Sequence, residues 1–207
     1  MFSWVRKCSG PLLGLALTAC SHDPAPPPLP HLASDARVLA FGDSLTFGTG
    51  AAPEQAYPAV LAGLIGRDVK AAGIPGETSG EGRARLPAVL DDLHPQLLIL
   101  CEGGNDLLQH LDRDAMKANL AAMIGEATAR GIPVVLLGVP TPKLGNLQTD
   151  PVYAELAEQF HLPLERHAFA DVLGQRSLKA DPFHPNQDGY REIARSVADL
   201  LKAAKAI

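Results

Sequence analysis

The feature that most constrains this chain is an alternation of short apolar runs with helix-periodic stretches. Residues 36–41 (ARVLAF), 69–72 (VKAA), 97–101 (LLILC) and 134–139 (VVLLGV) are the runs. Three stop at glycine or a glycine-rich turn, and the fourth at Pro140. Runs apolar throughout, rather than alternating, read as strands covered on both faces, the condition of a parallel sheet. Between them Leu61, Leu64 and Ile65 recur at helical spacing, as do Leu86, Val89, Leu90 and Leu93, and then Leu120, Met123, Ile124 and Ala127. A last helix is expected over about 187–204, with Ile193, Val197, Leu200 and Leu201 on one side, and a short fifth strand near 163–165. This order implies a three-layer αβα domain of the α/β class with right-handed crossovers.

Composition narrows the function. A length of 207 residues suits one domain with short extras. A net charge of −5 offers no basic footprint for nucleic acid. No apolar run reaches the ~18–20 residues of a spanning helix. Three scattered cysteines without a C-x-x-C pair form neither a zinc ribbon nor a disulfide framework.

The amino-terminal stretch reads as an address. Arg6 and Lys7 precede 12 apolar or small residues (8–19), the length of a signal core rather than of a span. The ending Leu17-Thr18-Ala19-Cys20 resembles a bacterial lipobox, in which cleavage precedes a cysteine that then receives diacylglycerol. An ordinary secretory signal whose cleavage site happens to precede a cysteine is the alternative. Residues 22–30 (HDPAPPPLP) hold five prolines and read as a stiff tether of about 3 Å per residue. The expected organisation is a lipoprotein signal over 1–19, lipidated Cys20 and tether over 20–35, and the α/β domain over 36–207. The expected location is the bacterial cell envelope, facing the periplasm, with Ser21 favouring the outer membrane and the lipid anchor as the sole membrane contact.

In a parallel α/β sheet the working loops lie at the carboxyl ends of the strands. Polar blocks stand there after three runs: Gly42-Asp43-Ser44-Leu45, Gly73-Ile74-Pro75-Gly76-Glu77-Thr78 and Gly103-Gly104-Asn105-Asp106. A fourth, Asp181-Pro182-Phe183-His184, precedes the last helix. A serine hydroxyl needs a base to become a nucleophile; His184 can serve, and Asp181 three residues earlier can orient its imidazole. Ester hydrolysis passes through an oxyanion, for which the N–H groups of Ser44 and Gly76 and the side-chain amide of Asn105 are candidate donors.

These four blocks resemble those of the SGNH hydrolase superfamily, the GDSL esterases and lipases, over about residues 37–203. The likeness is closest to the branch of bacterial arylesterases and multifunctional thioesterase/lysophospholipases, through Gly76-Glu77-Thr78-Ser79, Ala84-Arg85-Leu86-Pro87 and Glu102-Gly103-Gly104-Asn105-Asp106. The resemblance implies a flavodoxin-like sheet of about five parallel strands. It implies Ser44 as nucleophile, His184 as base, Asp181 as its partner, and Ser44, Gly76 and Asn105 as the oxyanion hole, with no cofactor and no metal. Two departures are visible: Ala71 stands where relatives often carry Asn, and Pro182 replaces a frequent Gly. In the resembled branch the loop after the Asn block lines the acyl groove, so Leu107 and Leu108 imply a small, short-to-medium acyl or aryl ester as substrate. Thioesters and lysophospholipids are further candidates.

Other readings bear on the same residues. Ser44 and Asp181 are also good helix and turn caps. Cys101, at the end of an apolar run, reads as a buried inert thiol. An O-acetyl esterase acting on envelope carbohydrate and a non-catalytic ligand-binding lipoprotein are the alternative functions.

Overall fold

The computed structural model describes residue 1, residues 25–141 and residues 147–207. The expected signal segment beyond Met1 and the lipidation site Cys20 lie outside the described residues.

Five parallel strands form one sheet: β1 (Arg37–Gly42), β2 (Asp68–Gly73), β3 (Leu97–Cys101), β4 (Val134–Leu137) and β5 (Leu164–Glu165). Their order is β2-β1-β3-β4-β5, the doubly wound flavodoxin-like arrangement, with its switch point between β1 and β3. The helices are α1 (Ser44–Phe47), α2 (Tyr57–Ile65), α3 (Ser79–Leu93), α4 (Gly104–Leu108), α5 (Arg113–Ala129), α6 (Pro151–Phe160), α7 (Ala168–Gly174) and α8 (Gln187–Ala203). α2 packs on α8, α3 on α5, and α5 on α6. Right-handed crossovers put α2 and α8 on one face of the sheet and α3, α5 and α6 on the other.

The central strands bear out the reading of continuous apolar runs. All five residues of β3 and all four of β4 are buried, as is β1 beyond Arg37. β2 departs from it, for no residue of β2 is fully buried. It is an edge strand, and Asp68 on its rim pairs with Arg37 and Lys70 at 3.4 and 3.0 Å. Charged side chains of this kind blunt an edge that would otherwise recruit another strand. Leu64 also departs: it is exposed, and α2 buries Tyr57, Pro58, Leu61 and Ile65. β4 ends at Leu137, and Gly138 after it passes close to Thr149, where a Cβ would lie 2.4 Å from Cγ2.

α6 and α7 lie where no periodicity was recognised. α6 carries a start signal nonetheless: Asp150 Oδ1 accepts the Val152 N–H at 3.2 Å, and Pro151 opens the helix.

The packed body begins before residue 36. Leu29 N–H donates to Ala204 O and Leu32 N–H to Ala206 O, both at 2.8 Å, and Leu32 is buried in the core. The second half of the proline-rich stretch is therefore strapped to the domain.

Candidate active site

Ser44 follows β1 at the switch point, and Asn105 follows β3 beside it. The turn between strand and helix is tight. A Cβ at Gly42 would lie 2.0 Å from Cys101 O, so the two strands meet there backbone to backbone. Asp43 caps α1, its Oδ1 accepting the Leu45 N–H at 2.9 Å.

The histidine arrives from the far end of the sequence on a clamped turn. Ala180 N–H donates to His184 O at 3.0 Å, and Lys179 bridges Pro185. Asn186 caps α8 through Oδ1, and its Nδ2 donates to Ser177 O at 2.8 Å. Gly50, with φ of 99°, packs under this turn, where a Cβ would stand 2.5 Å from Pro185 O.

These supports bring three side chains into line. His184 Nε2 lies 3.0 Å from Ser44 Oγ, and His184 Nδ1 lies 2.8 Å from Asp181 Oδ2. Asp181 Oδ1 also accepts the N–H groups of Phe183 and His184 at 2.8 and 2.9 Å. Partial burial opposes ionisation of Asp181, but the hydrogen bonds from His184 and those two N–H groups outweigh it and hold the carboxyl below its usual value. The arrangement can keep one imidazole tautomer aimed at the hydroxyl, the geometry of an activated serine.

Asn105 stands on the same wall. Its Nδ2 donates to Glu77 O at 2.8 Å and, more weakly, toward Asp43 Oδ2 at 3.4 Å. One of its two hydrogens is thus committed, and the other is loosely held and available to an oxyanion. Gly76 sits on the adjoining turn with φ of 85°, next to the Glu77 carbonyl that holds Asn105, though off the wall of the cavity. That cavity, of about 500 Å³, is lined by Ser44, Asn105 and His184 with Leu108, Val139, Leu173 and Phe183 among its apolar residues. Leu107 does not line it, contrary to expectation. One residue advances a helix by about 100°, so Leu107 turns into the core while Leu108 faces the cavity.

Four acids within the motif blocks, none with an expected role in the triad or the oxyanion hole, lie buried around the site: Asp43, Glu77, Glu102 and Asp106. Asp106 accepts the N–H and hydroxyl of Ser79 at 2.8 and 2.6 Å, tying α3 to α4. Burial pushes Asp43 up to about 7, against the Leu45 N–H and the His184 charge that favour its ionised form. A charged residue closing an all-apolar strand, as Glu102 does, is the sequence signal that marks such a group. Cys101 is buried, and desolvation pushes its thiol up, consistent with an inert core position. Among the described residues no cluster of three or more His, Cys, Asp or Glu could hold a metal, and no helix is long and apolar enough to cross a membrane.

The family described as GDSL-like Lipase/Acylhydrolase matches residues 40–192. Esterase TesA of Pseudomonas aeruginosa is 33% identical over 175 residues, covering 80% of this chain and 87% of that protein. The thioesterase 1/protease 1/lysophospholipase L1 of Escherichia coli K12 is 30% identical over 172 residues, covering 80% and 83%. A crystal structure of TesA superposes with a TM-score of 0.70 at 30% identity, covering 81% of this chain and 99% of that one. With the sheet order and the serine-centred cleft, these likenesses place the chain in the GDSL-like lipase/acylhydrolase family, as a carboxylic ester hydrolase.

Proposed function

We propose that the protein hydrolyses short-to-medium acyl or aryl esters by acyl transfer to Ser44. The observation that carries this is the continuous hydrogen-bonded line from Ser44 Oγ through His184 to Asp181 at the cavity wall. His184 Nε2 takes the Ser44 proton as Oγ bonds to the substrate carbonyl carbon. The carbonyl oxygen, now an oxyanion, is met by the N–H of Ser44, the N–H of Gly76 and the loosely held hydrogen of Asn105 Nδ2, which leaves Asp43 for it. The imidazolium then gives its proton to the departing alkoxide or thiolate. Water, deprotonated by the same nitrogen, attacks the acyl carbon; the bond to Oγ breaks, the imidazolium returns the proton to Ser44, and the acid leaves. Asp181 stabilises the charged imidazole at each stage.

The cavity supports an apolar acyl group rather than a sugar. Leu108 and Phe183 are partly exposed on its walls, and Leu45, Val139 and Leu173 extend the apolar surface. Thioesters and lysophospholipids fall within the same chemistry, as the name of the Escherichia coli relative suggests. Residues 1–19 are read as a lipoprotein signal and Cys20 as the anchor to the periplasmic face of the envelope. Loss of membrane fractionation in Cys20→Ala tests that assignment.

The enzyme test uses residues 21–207 beside Ser44→Ala on p-nitrophenyl and acyl-CoA esters from acetyl to palmitoyl. Turnover that peaks at one chain length and disappears in the variant is expected. Turnover confined to acetyl would favour the carbohydrate O-acetyl esterase, and none from folded protein a ligand-binding lipoprotein. Leu108→Ala is expected to move the preferred chain length upward; an unchanged profile would remove Leu108 from the groove.

A further inference from the structure

Glu102 directly follows β3 and is fully buried, although among the described residues no cation pairs with it and it does not line the cavity. Its Oε2 accepts one peptide N–H, that of Gly103, at 3.2 Å. No donor among the described residues reaches Oε1. α3 closes over that oxygen: a Cβ at Gly82 would stand 3.0 Å from it. A second carboxyl, that of Glu77, lies within hydrogen-bond reach of Glu102.

Glu77 already has a cation. Arg85 Nε and Nη2 grip its two oxygens at 2.7 and 2.5 Å. The same guanidinium lies 3.9 Å over the Phe41 ring and donates to Ala72 O. Two carboxylates cannot share a buried site fully ionised, so one of them takes a proton. The guanidinium of Arg85 occupies both oxygens of Glu77, whereas Glu102 has a single peptide donor, so the proton falls to Glu102. The other groups facing Glu102 agree with this. Asp43, Cys101 and Tyr153 add no positive charge, and the Tyr153 hydroxyl is spent on Glu102 O at 2.6 Å. Burial, then the Asp43 charge and the contact with Glu77, push Glu102 up to about 11.

The pair spans the two loops that carry the proposed oxyanion donors. Glu77 follows Gly76, and its carbonyl holds Asn105; Glu102 lies three residues before Asn105 on the other loop. We propose that Glu102 is a positioning residue: as a neutral acid it donates to the Glu77 carboxylate and fixes the loop of Gly76 against the loop of Asn105. This rests on the serine-esterase reading above.

The test compares wild type, Ser44→Ala, Glu102→Gln and Glu102→Leu on p-nitrophenyl acetate, with folding checked by circular dichroism. The glutamine amide can still donate to Glu77, so kcat within about threefold of wild type is expected. Leucine fills the space without a donor, and kcat is expected to fall about tenfold or more while KM changes little, as misplaced donors act on the transition state. Equal rates in wild type, Glu102→Gln and Glu102→Leu would overturn the positioning role. Activity that survives in Ser44→Ala would instead overturn the underlying reading. Should Glu102→Leu fail to fold, infrared difference spectra of wild type against Glu102→Gln decide. A buried protonated-carboxyl band at neutral pH, lost in the glutamine variant, supports the assignment, and its absence from wild type overturns it.

Discussion

Asn105 is held firmly by the Glu77 carbonyl, and this fixes the direction of its second hydrogen, which Asp43 holds only weakly. Asn105→Ala is expected to lower kcat by about 10²–10³ with KM nearly unchanged, since the lost donor acts on the oxyanion and not on the ester. Steady-state kinetics on a chromogenic ester measures this. Gly104 is constrained by the same pair, because a Cβ there would lie 2.8 Å from Asp43 Oδ2. Gly104→Ala is therefore expected to disturb Asn105 through Asp43, with kcat falling although no donor is removed. Ser44, Asp181 and His184 were legible in the sequence because each stands at a strand end or within one local turn. The Glu77–Glu102 contact was not legible. It exists only once loops 25 residues apart are folded against each other, and nothing in either segment records its partner.

The element that most directly serves the site is the turn leading into α8. Asn186 caps that helix through Oδ1 while its amide ties down the preceding chain at Ser177 O. Asn186→Ala is expected to cost about 1 kcal/mol in urea unfolding, the usual value of a lost cap. A fall in kcat should accompany it, because His184 lies two residues before the cap. Unchanged kcat alongside lost stability would show that the turn holds the imidazole without Asn186. At this scale β1, β3 and β4 were legible from unbroken apolarity. β2 departs from the expectation of two covered faces because it lies at the sheet edge, which its polar residues Asp68 and Lys70 signal. The start of α6 is marked in the sequence by Asp150-Pro151, whereas Leu64 shows that apolar spacing alone does not say which residues reach the core.

For the molecule as a whole, the buried acids set how stability responds to pH. Asp43 and Glu102 hold their protons in the folded state to about 7 and about 11, far above their unfolded values. The folded state thus binds more protons than the unfolded one, and stability falls as pH rises through that range, by at most about 1.4 kcal/mol per pH unit and group. Asp181 acts in the opposite sense: its lowered value contributes stability above the unfolded pKa that is lost only as pH drops through the folded one. The urea midpoint is therefore expected to be higher at pH 5.5 than at pH 8.5. Glu102→Gln should narrow that difference, and a midpoint that rises toward pH 8.5 would contradict the buried-acid account.

The strap at Leu29 and Leu32 bears on how the enzyme meets its surroundings. Its partners Ala204 and Ala206 lie just beyond α8, and Arg67, which donates to Leu32 O at 3.0 Å, directly precedes β2. Both ends of the folded body thus emerge beside the amino ends of the strands, whereas Ser44 opens at their carboxyl ends. Grafted to a bead, a fusion partner or a bilayer through either end, the enzyme would turn its cleft outward. It would then work on molecules arriving from bulk solution rather than on those lying in the surface that holds it.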